Sequence, residues 1–384
     1  MQQVKSNKLK AVQLALAAAI GSAVAFPAMA QSAIGQTNVT FSGVVDAYAG
    51  SQKYSGDPAS TAIVGSGGMT TSWFGFTGDE DLGGGLKADF KLTSFFTPNN
   101  GVQGRFPGDT FFSRDANVGL SGNFGKVSIG RDLAPNFLPS ILFNPFGDSF
   151  QFSPLILHMD ISSPSAPSDL INKANWTNTT AGDTGWSNEV IYTTPNFAGL
   201  KANLHYQFGG VAGQTGKNNI GFNALYFHGP LALTAFYQRV EINNPTNDGA
   251  GDVQPAFGIT LPNGDVASRQ TAWFAGASYD LTFAKLFATY QHTTQDIPLQ
   301  DKTTQLGVSI PLGQGAILAS WANTRRSGSD DGTVDGSSLT RNTAAIGYDY
   351  NMSKRTDLYA IYMYDKITDQ DMGGSFGVGI RHHF

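Results

Sequence analysis

Taken by alternate positions, residues Ser375 to Phe384 (SFGVGIRHHF) sort into two faces, with Phe376, Val378, Ile380, His382 and Phe384 on one and Gly377, Gly379, Arg381 and His383 on the other. A strand face that is largely apolar and ends on an aromatic residue needs a partner for its backbone edge and an apolar medium for its side chains. A closed transmembrane barrel supplies both, because its last strand pairs with its first and its outer face meets lipid. On this reading Phe384 closes the barrel edge, faces outward and serves assembly rather than conduction.

The other end of the chain has a different character. Lys5, Lys8 and Lys10 precede an Ala-, Leu- and Val-rich run from Ala11 to Ala25, and Ala28-Met29-Ala30 has the small-residue pattern of a cleavage site. Residues 1–30 are thus expected to be a signal peptide and 31–384 the barrel; the apolar run is short for a membrane anchor, which needs about 20 residues. Removing three lysines and no acids moves the formal net charge from -5 to -8. The chain has no cysteine, which excludes disulfides and thiolate chemistry. It has 46 glycines in 384 residues, a mean hydropathy of -0.16 and no later run of 18 apolar residues. That composition excludes a helical membrane protein but not a barrel, whose strands need apolar residues only at alternate positions over about 10 residues.

Alternation is clear at Leu86, Ala88, Phe90 and Leu92 and again at Leu200, Ala202, Leu204, Tyr206 and Phe208. Alternation alone fits a soluble sandwich equally well, so number and spacing decide. Wall strands are predicted near 38–50, 71–80, 86–96, 112–123, 125–132, 188–195, 200–209, 218–229, 231–242, 270–281, 285–295, 302–312, 315–327, 340–352, 356–368 and 375–384, sixteen in all. Tight turns such as Asp81 to Gly85, Gly229-Pro230, Gly313 to Gly315 and Ser353 to Arg355 alternate with long connections such as Ser51 to Thr70, Thr97 to Phe111 and Asn243 to Arg269. The predicted fold is an all-β, 16-stranded antiparallel transmembrane β-barrel with both termini on the periplasmic side.

The segments TSWFGFTGDEDLGGGLKADFKL (71–92), SRDANVGLSGNFGKVSIGRD (113–132), NEVIYTTPNFAGLKANLHY (188–206), SKRTDLYAIYMY (353–364) and GVGIRHHF (377–384) resemble repeated blocks of the trimeric general porins of Gram-negative bacteria, along the whole of residues 31–384. The terminal Phe384, with apolar residues alternating before it, is likewise similar to the end signature of outer-membrane barrels. The resemblance implies a homotrimer in the outer membrane and a third loop folded into the lumen. It also implies a water-filled channel for ions and small hydrophilic solutes. The partners implied are outer-membrane lipid and lipopolysaccharide, and the barrel-assembly machinery through the C-terminal strand. No nucleic acid and no cofactor is implied.

The third connection, about 133–187, carries Phe137, Leu138, Ile141, Leu142, Phe143, Phe146, Phe150, Phe152, Leu155, Ile156 and Leu157, too apolar to sit loose in water. It is expected to pack inside a lumen wide enough to take it, whereas Ser162 to Ser168 reads as surface. Pro145-Phe146-Gly147-Asp148 is similar to the tip of the family's constriction loop, so Asp148 is the main acidic candidate, an ordinary solvated aspartate being the alternative. Arg114 and Arg131 match positions where the family carries wall arginines. Strict alternation puts both with outward residues, unless a bulge or the strand end re-aims them. Asp46 and Arg381, inward by alternation, and Trp73 complete the candidate lining. Trp73, Thr77 and Ile191 stand where the family commonly has arginine, which implies a thinned arginine ladder and near-neutral or slightly cationic preference.

No Walker loop, dinucleotide fingerprint or zinc spacing occurs, and adjacent His382 and His383 leave opposite faces of a strand. An enzyme is therefore not expected. A substrate-selective channel, a barrel hydrolase assembled from separate strands, or an adhesin remain as alternatives. Gly43, Ala47 and Ala49, small and outward, suggest that the first strands pack wall to wall in a trimer, with Thr97 to Phe111 latching onto a neighbour.

Overall fold

The computed structural model describes residues 38–106, 109–160, 179–210, 218–242, 269–328 and 338–384. The expected signal peptide, the Ser162 to Ser168 stretch and most of the Asn243 to Arg269 connection lie outside the described residues.

Eighteen strands alternate with turns: β1 (Asn38–Gln52), β2 (Thr61–Ser66), β3 (Trp73–Gly83), β4 (Leu86–Thr97), β5 (Val102–Gln103), β6 (Asp115–Gly122), β7 (Gly125–Leu133), β8 (Gly185–Thr193), β9 (Leu200–Phe208), β10 (Asn218–His228), β11 (Leu231–Val240), β12 (Gln270–Asp280), β13 (Lys285–Gln295), β14 (Leu299–Leu312), β15 (Gly315–Gly328), β16 (Ser338–Asn351), β17 (Thr356–Ile367) and β18 (Gly373–His383). Short β5 pairs with the end of β4 and short β2 with the end of β1, and the other sixteen pair antiparallel, each with its neighbour in sequence. β18 returns to β1, with Val44 opposite His383 and Ala49 opposite Val378, so the sheet closes and no wall edge is left unpaired. This is the predicted 16-stranded antiparallel barrel.

Closure continues past the last strand. Phe384 and Gly43 exchange backbone hydrogen bonds, Phe384 N–H to the Gly43 carbonyl at 3.1 Å and Gly43 N–H to the Phe384 carbonyl at 3.2 Å. A Cβ on Gly43 would come within 2.6 Å of the Phe384 ring, which explains glycine there. It also corrects the expectation for Gly43: the site is buried under its own chain's terminal ring and offers no small outward surface to a second copy.

Period 2 governs each wall strand. In β18 Phe376, Val378 and Ile380 are exposed, whereas Gly377 and Gly379 are buried. The exposed set is apolar across neighbours too, with Leu306, Trp321, Ile346 and Tyr362 on β14 to β17, as a lipid-facing surface requires. The opposite face carries Gln207, Asn223, Gln238, Gln291, Thr303 and Thr324, all buried.

Two expectations about strand limits need correction. The connection after β1 holds β2, which pairs with residues 47–52 of β1 while β3 pairs with residues 38–44. β2 and β3 therefore act as one wall strand broken by a bend at 67–72, a break that alternation does not reveal because Gly67, Gly68 and Ser72 carry no apolar signal. β14 starts at Leu299 rather than near 302, leaving only three residues between it and β13.

Between β7 and β8 lie two short helices, α1 (Phe137–Leu142) and α2 (Pro154–Met159). The Ser153 side chain accepts the Ile156 N–H and Pro154 stands at the first helical position, which together set where α2 begins. Phe146, Phe152 and Leu157 pack with Tyr48, Met69, Leu318, Tyr359 and Met363, and Leu155 and Met159 pack with Phe236 and Phe274. Phe146, Phe152, Leu155, Leu157 and Met159 are thus buried against wall residues, whereas Leu142 stays exposed.

Candidate functional site

The bend at 67–72 organises the site. Asp46, on β1 and fully buried, accepts the backbone N–H groups of Gly68 at 3.0 Å, Met69 at 2.9 Å and Thr70 at 2.8 Å, together with the Tyr359 hydroxyl. Hydrogen bonds to a charged group contribute about 1.5–3 kcal/mol each, enough to fix three consecutive residues of backbone. A Cβ on Gly68 would lie 2.2 Å from the Tyr359 hydroxyl, so the approach needs glycine. Asp46 does not face open lumen as a solvated charge; it is a structural anchor, because all its acceptor directions are occupied.

The bend in turn holds Thr70. The Thr70 hydroxyl accepts from Arg381 Nη1 at 2.9 Å and hydrogen-bonds the Asp148 carboxylate. Arg381 is also bound by Asp357 at 3.1 Å and Asp349 at 3.3 Å. Asp148 reaches Thr70 because its turn is built locally: Asn144 Nδ2 donates to the Gly147 carbonyl at 2.9 Å, and Gly147 adopts φ +55°. Ser149 Oγ then donates to the Gly68 carbonyl at 2.7 Å, tying the turn to the bend. Protein packed around the half-buried Asp148 raises its pKa to about 6, opposed by the Thr70 hydrogen bond and by attraction to Arg381 and Arg114.

Arg114 lies one residue before β6 begins, so strand alternation does not bind it. Its Nη1 donates to Asp115 at 2.7 Å, and its guanidinium carbon stands 4.2 Å from the centre of the Trp73 ring. Asp148, Arg381, Arg114 and Trp73 therefore form one neighbourhood around Thr70.

Arg131 is elsewhere. It remains within β7, beside a register shift between Gly130 and Asp132, and is buried. Its guanidinium donates to the carbonyls of Ser113 and Gly185, to the Ser187 hydroxyl and to Asp183 at 3.0 Å. Arg105 grips the other side of Asp183 at 2.6 Å and Asp109 at 2.9 Å. Burial alone would raise Asp183, but the two guanidiniums hold it below the usual carboxylate range. Asp160, which accepts from Asn136 Nδ2 at 3.3 Å, is pushed up to about 8 by burial and by Asp183. A cavity of about 500 Å³ opens here, lined among others by Gln52, Thr71, Arg105, Gln151, Asp160 and Asp183.

Sequence reasoning missed Thr70, Arg105, Asp183 and His158. Thr70 carries no signal, being one small polar residue in a connection. His158 does carry one: a lone histidine in SPLILHM must be satisfied if that run is buried. Its two ring nitrogens meet Thr324 Oγ1 at 2.8 Å and Thr343 Oγ1 at 2.7 Å, joining α2 to β15 and β16.

Residues 15–370 match the family model described as Gram-negative porin. The chain is 30% identical over 371 residues to outer membrane porin protein 32 of Delftia acidovorans, covering 93% of this chain and 92% of that one. It is 27% identical over 361 residues to an outer membrane porin protein of Bordetella pertussis, covering 82% of each. Among solved structures, the anion-selective porin from Comamonas acidovorans superposes with a TM-score of 0.67 at 25% identity, covering 91% of this chain and all of that one. A closed sixteen-stranded wall, apolar outside and polar within, and likenesses that run nearly end to end lead to one conclusion. The chain belongs to the Gram-negative porin family and is an outer-membrane channel for passive diffusion.

Proposed function

We propose that this is a trimeric general porin whose connection between β7 and β8 folds inward to form a constriction of weak charge selectivity, near neutral or slightly cationic. One observation carries the reading: the arginines at the site have carboxylate partners, Arg114 with Asp115 and Arg381 with Asp349 and Asp357. Asp148 adds a further negative charge. Charges at a narrow passage act at close range, so paired cations attract a passing anion weakly. The net -8 expected for residues 31–384 matters less, because exposed loop charges are screened beyond a Debye length of about 8 Å at physiological salt.

Reversal potentials across planar bilayers in a salt gradient test this, alongside single-channel steps. Large open steps with a cation-to-anion permeability ratio near or somewhat above one support the reading; strong anion selectivity, which the Comamonas porin's name ascribes to that protein, would refute it. A substrate-selective channel is a second reading, favoured by the 500 Å³ cavity beside Arg105 and Asp183; conductance that saturates with one solute would establish it.

Residues 1–30 act as the signal peptide, Phe384 and the C-terminal strand present the chain to the barrel-assembly machinery, and the folded barrel contacts lipopolysaccharide in the outer leaflet. Trimerisation is supported by a Vibrio cholerae outer membrane protein described in a trimer form, which shares the fold at 15% identity and a TM-score of 0.60. Unheated detergent electrophoresis should give a heat-sensitive band near three chains, and a monomer there would count against the trimer. The proposed protein has no enzymatic activity.

A further inference from the structure

The register of β12 to β16 lines up five side chains in one row across the membrane-facing surface. Trp273 is opposite His292, His292 opposite Lys302, Lys302 opposite Arg325 and Arg325 opposite Thr340. Lys302 and Arg325 are both exposed. One residue along each strand, on the buried face, Asp301 is opposite Arg326, and the two form a pair through Nε at 2.7 Å and Nη2 at 3.1 Å. In adjacent rows, then, the sheet opposes unlike charges inside and like charges outside. Cβ atoms of directly opposed residues lie about 5 Å apart, where like charges destabilise a sheet. Neither Lys302 nor Arg325 makes an ion pair or side-chain hydrogen bond among the described residues.

The height of this pair is informative. Leu306 and Trp321, opposite one another, begin the exposed apolar band, with Ile346 and Tyr362 beyond them. Lys302 is four residues from Leu306, about 14 Å along the strand at about 3.4 Å per residue, which is headgroup depth if acyl chains cover the band. The pair lies at the end of the barrel away from the Ser353 to Arg355 turn and Phe384. His292 and Thr340 flank it with further polar atoms, and Trp273 supplies an amphipathic ring of the kind enriched at membrane interfaces.

Resting on the proposed contact with outer-leaflet lipid, we infer that Lys302 and Arg325 form a two-cation site for the phosphate group of an anionic outer-leaflet lipid. A phosphate between them turns a repulsive pair into two charge-assisted contacts, and the Arg325 fork can take two phosphate oxygens. The lipid's acyl chains meanwhile lie on Leu306, Trp321 and Ile346. Free phosphate lacks those chains and gains only the polar half of the interaction.

The test uses the full-length folded protein in dodecyl maltoside micelles, with thermal unfolding followed on addition of diphosphorylated lipid A, phosphatidylcholine or inorganic phosphate. The unmutated barrel is expected to be stabilised by diphosphorylated lipid A alone, and Lys302→Gln/Arg325→Gln to bind it at least tenfold more weakly. Lys354→Gln/Arg355→Gln, exposed cations at the opposite rim, should bind it as the unmutated protein does. Equal affinity in the Lys302/Arg325 variant, or equal stabilisation by phosphatidylcholine or by inorganic phosphate, would overturn the assignment. Single-channel conductance of the same variants should be unchanged. Its absence from the unmutated protein would count against the channel reading and leave the lipid measurement standing on its own.

Discussion

The guanidinium of Arg114 lies over the indole of Trp73, 4.2 Å from the ring centre, so the aromatic ring serves as the seat of the arginine. Such a contact is worth about 0.5–1 kcal/mol where partly exposed. Trp73→Ala removes both the seat and the bulk of the ring. Larger single-channel steps are expected, with the permeability ratio moving toward anions by about two- to fivefold, the equivalent of that energy. Arg114→Gln should move it the other way. If the conductance and reversal potential of both variants match the unmutated channel, this pair does not border the conducting path.

Thr70 joins the wall to the turn at Asp148, and Thr70→Val keeps its shape while deleting the hydroxyl. Arg381 and Asp148 each lose one hydrogen bond, at about 1.5–3 kcal/mol for a charged partner, and open-channel noise should rise. The pH dependence carries a sign. Asp148 titrates near 6, so acidification through that value removes one negative charge and cation preference falls. Because burial, not a partner, sets this raised value, the ionised carboxylate disfavours the folded turn above pH 6 and protonation relieves it. In Thr70→Val the midpoint should move upward, since a bond that favoured the ionised form is gone. Asp148→Asn should shift selectivity toward anions and flatten the profile. A midpoint unchanged in Asp148→Asn would assign the titration to another group.

His158 couples α2 to pH. Burial holds its pKa well below the ordinary histidine value, helped by repulsion from Arg341 and opposed by Asp365. A group depressed in the docked state and ordinary in the released one stabilises docking above about 6.5. Below that pH the released state binds the extra proton, and docking weakens by about 1.4 kcal/mol per pH unit until the docked pKa is reached. Amide hydrogen exchange over residues 154–160 should accelerate between about pH 6.5 and about pH 5. His158→Gln can still meet a threonine hydroxyl but cannot titrate, so its exchange should lose this added pH dependence. An identical acid response in that variant would exclude His158 as its source.

Phe384→Ala keeps the backbone bonds to Gly43 and loses only the ring, which sits 5.5 Å from the Phe41 ring and covers the space above Gly43. An aromatic pair contributes about 0.5–1.5 kcal/mol beyond its buried area. The expected result is a lower outer-membrane yield of folded barrel, with unaltered conductance in the channels that form. Normal yield with altered conductance would reverse the assignment of Phe384 to assembly.

The wall was legible from sequence because a lipid-facing strand imposes a rule on single residues: every second side chain must be apolar. Leu86 to Leu92 and Phe376 to Ile380 obey it without reference to anything distant, and the turns between strands announce themselves through glycine. The apolar load of 137–157 likewise required that connection to pack, and it does. What alternation could not see were the places where the chain leaves the pleat. Arg114 escapes parity because it precedes β6, and the bend at 67–72 breaks a wall strand with residues that have no hydrophobic signature. The fates of the charges were hidden for a related reason. Asp46 and Arg131 look like lining charges in sequence, but whether a charge is free or consumed depends on donors and acceptors brought from far along the chain. For Asp46 these come from Gly68 to Thr70 and Tyr359, and for Arg131 from Ser113 and Asp183 to Ser187. Hydrogen bonding acts over about 3 Å in space and is indifferent to separation in sequence. Only barrel closure and the docking of the third connection decided that Thr70 would stand between Arg381 and Asp148.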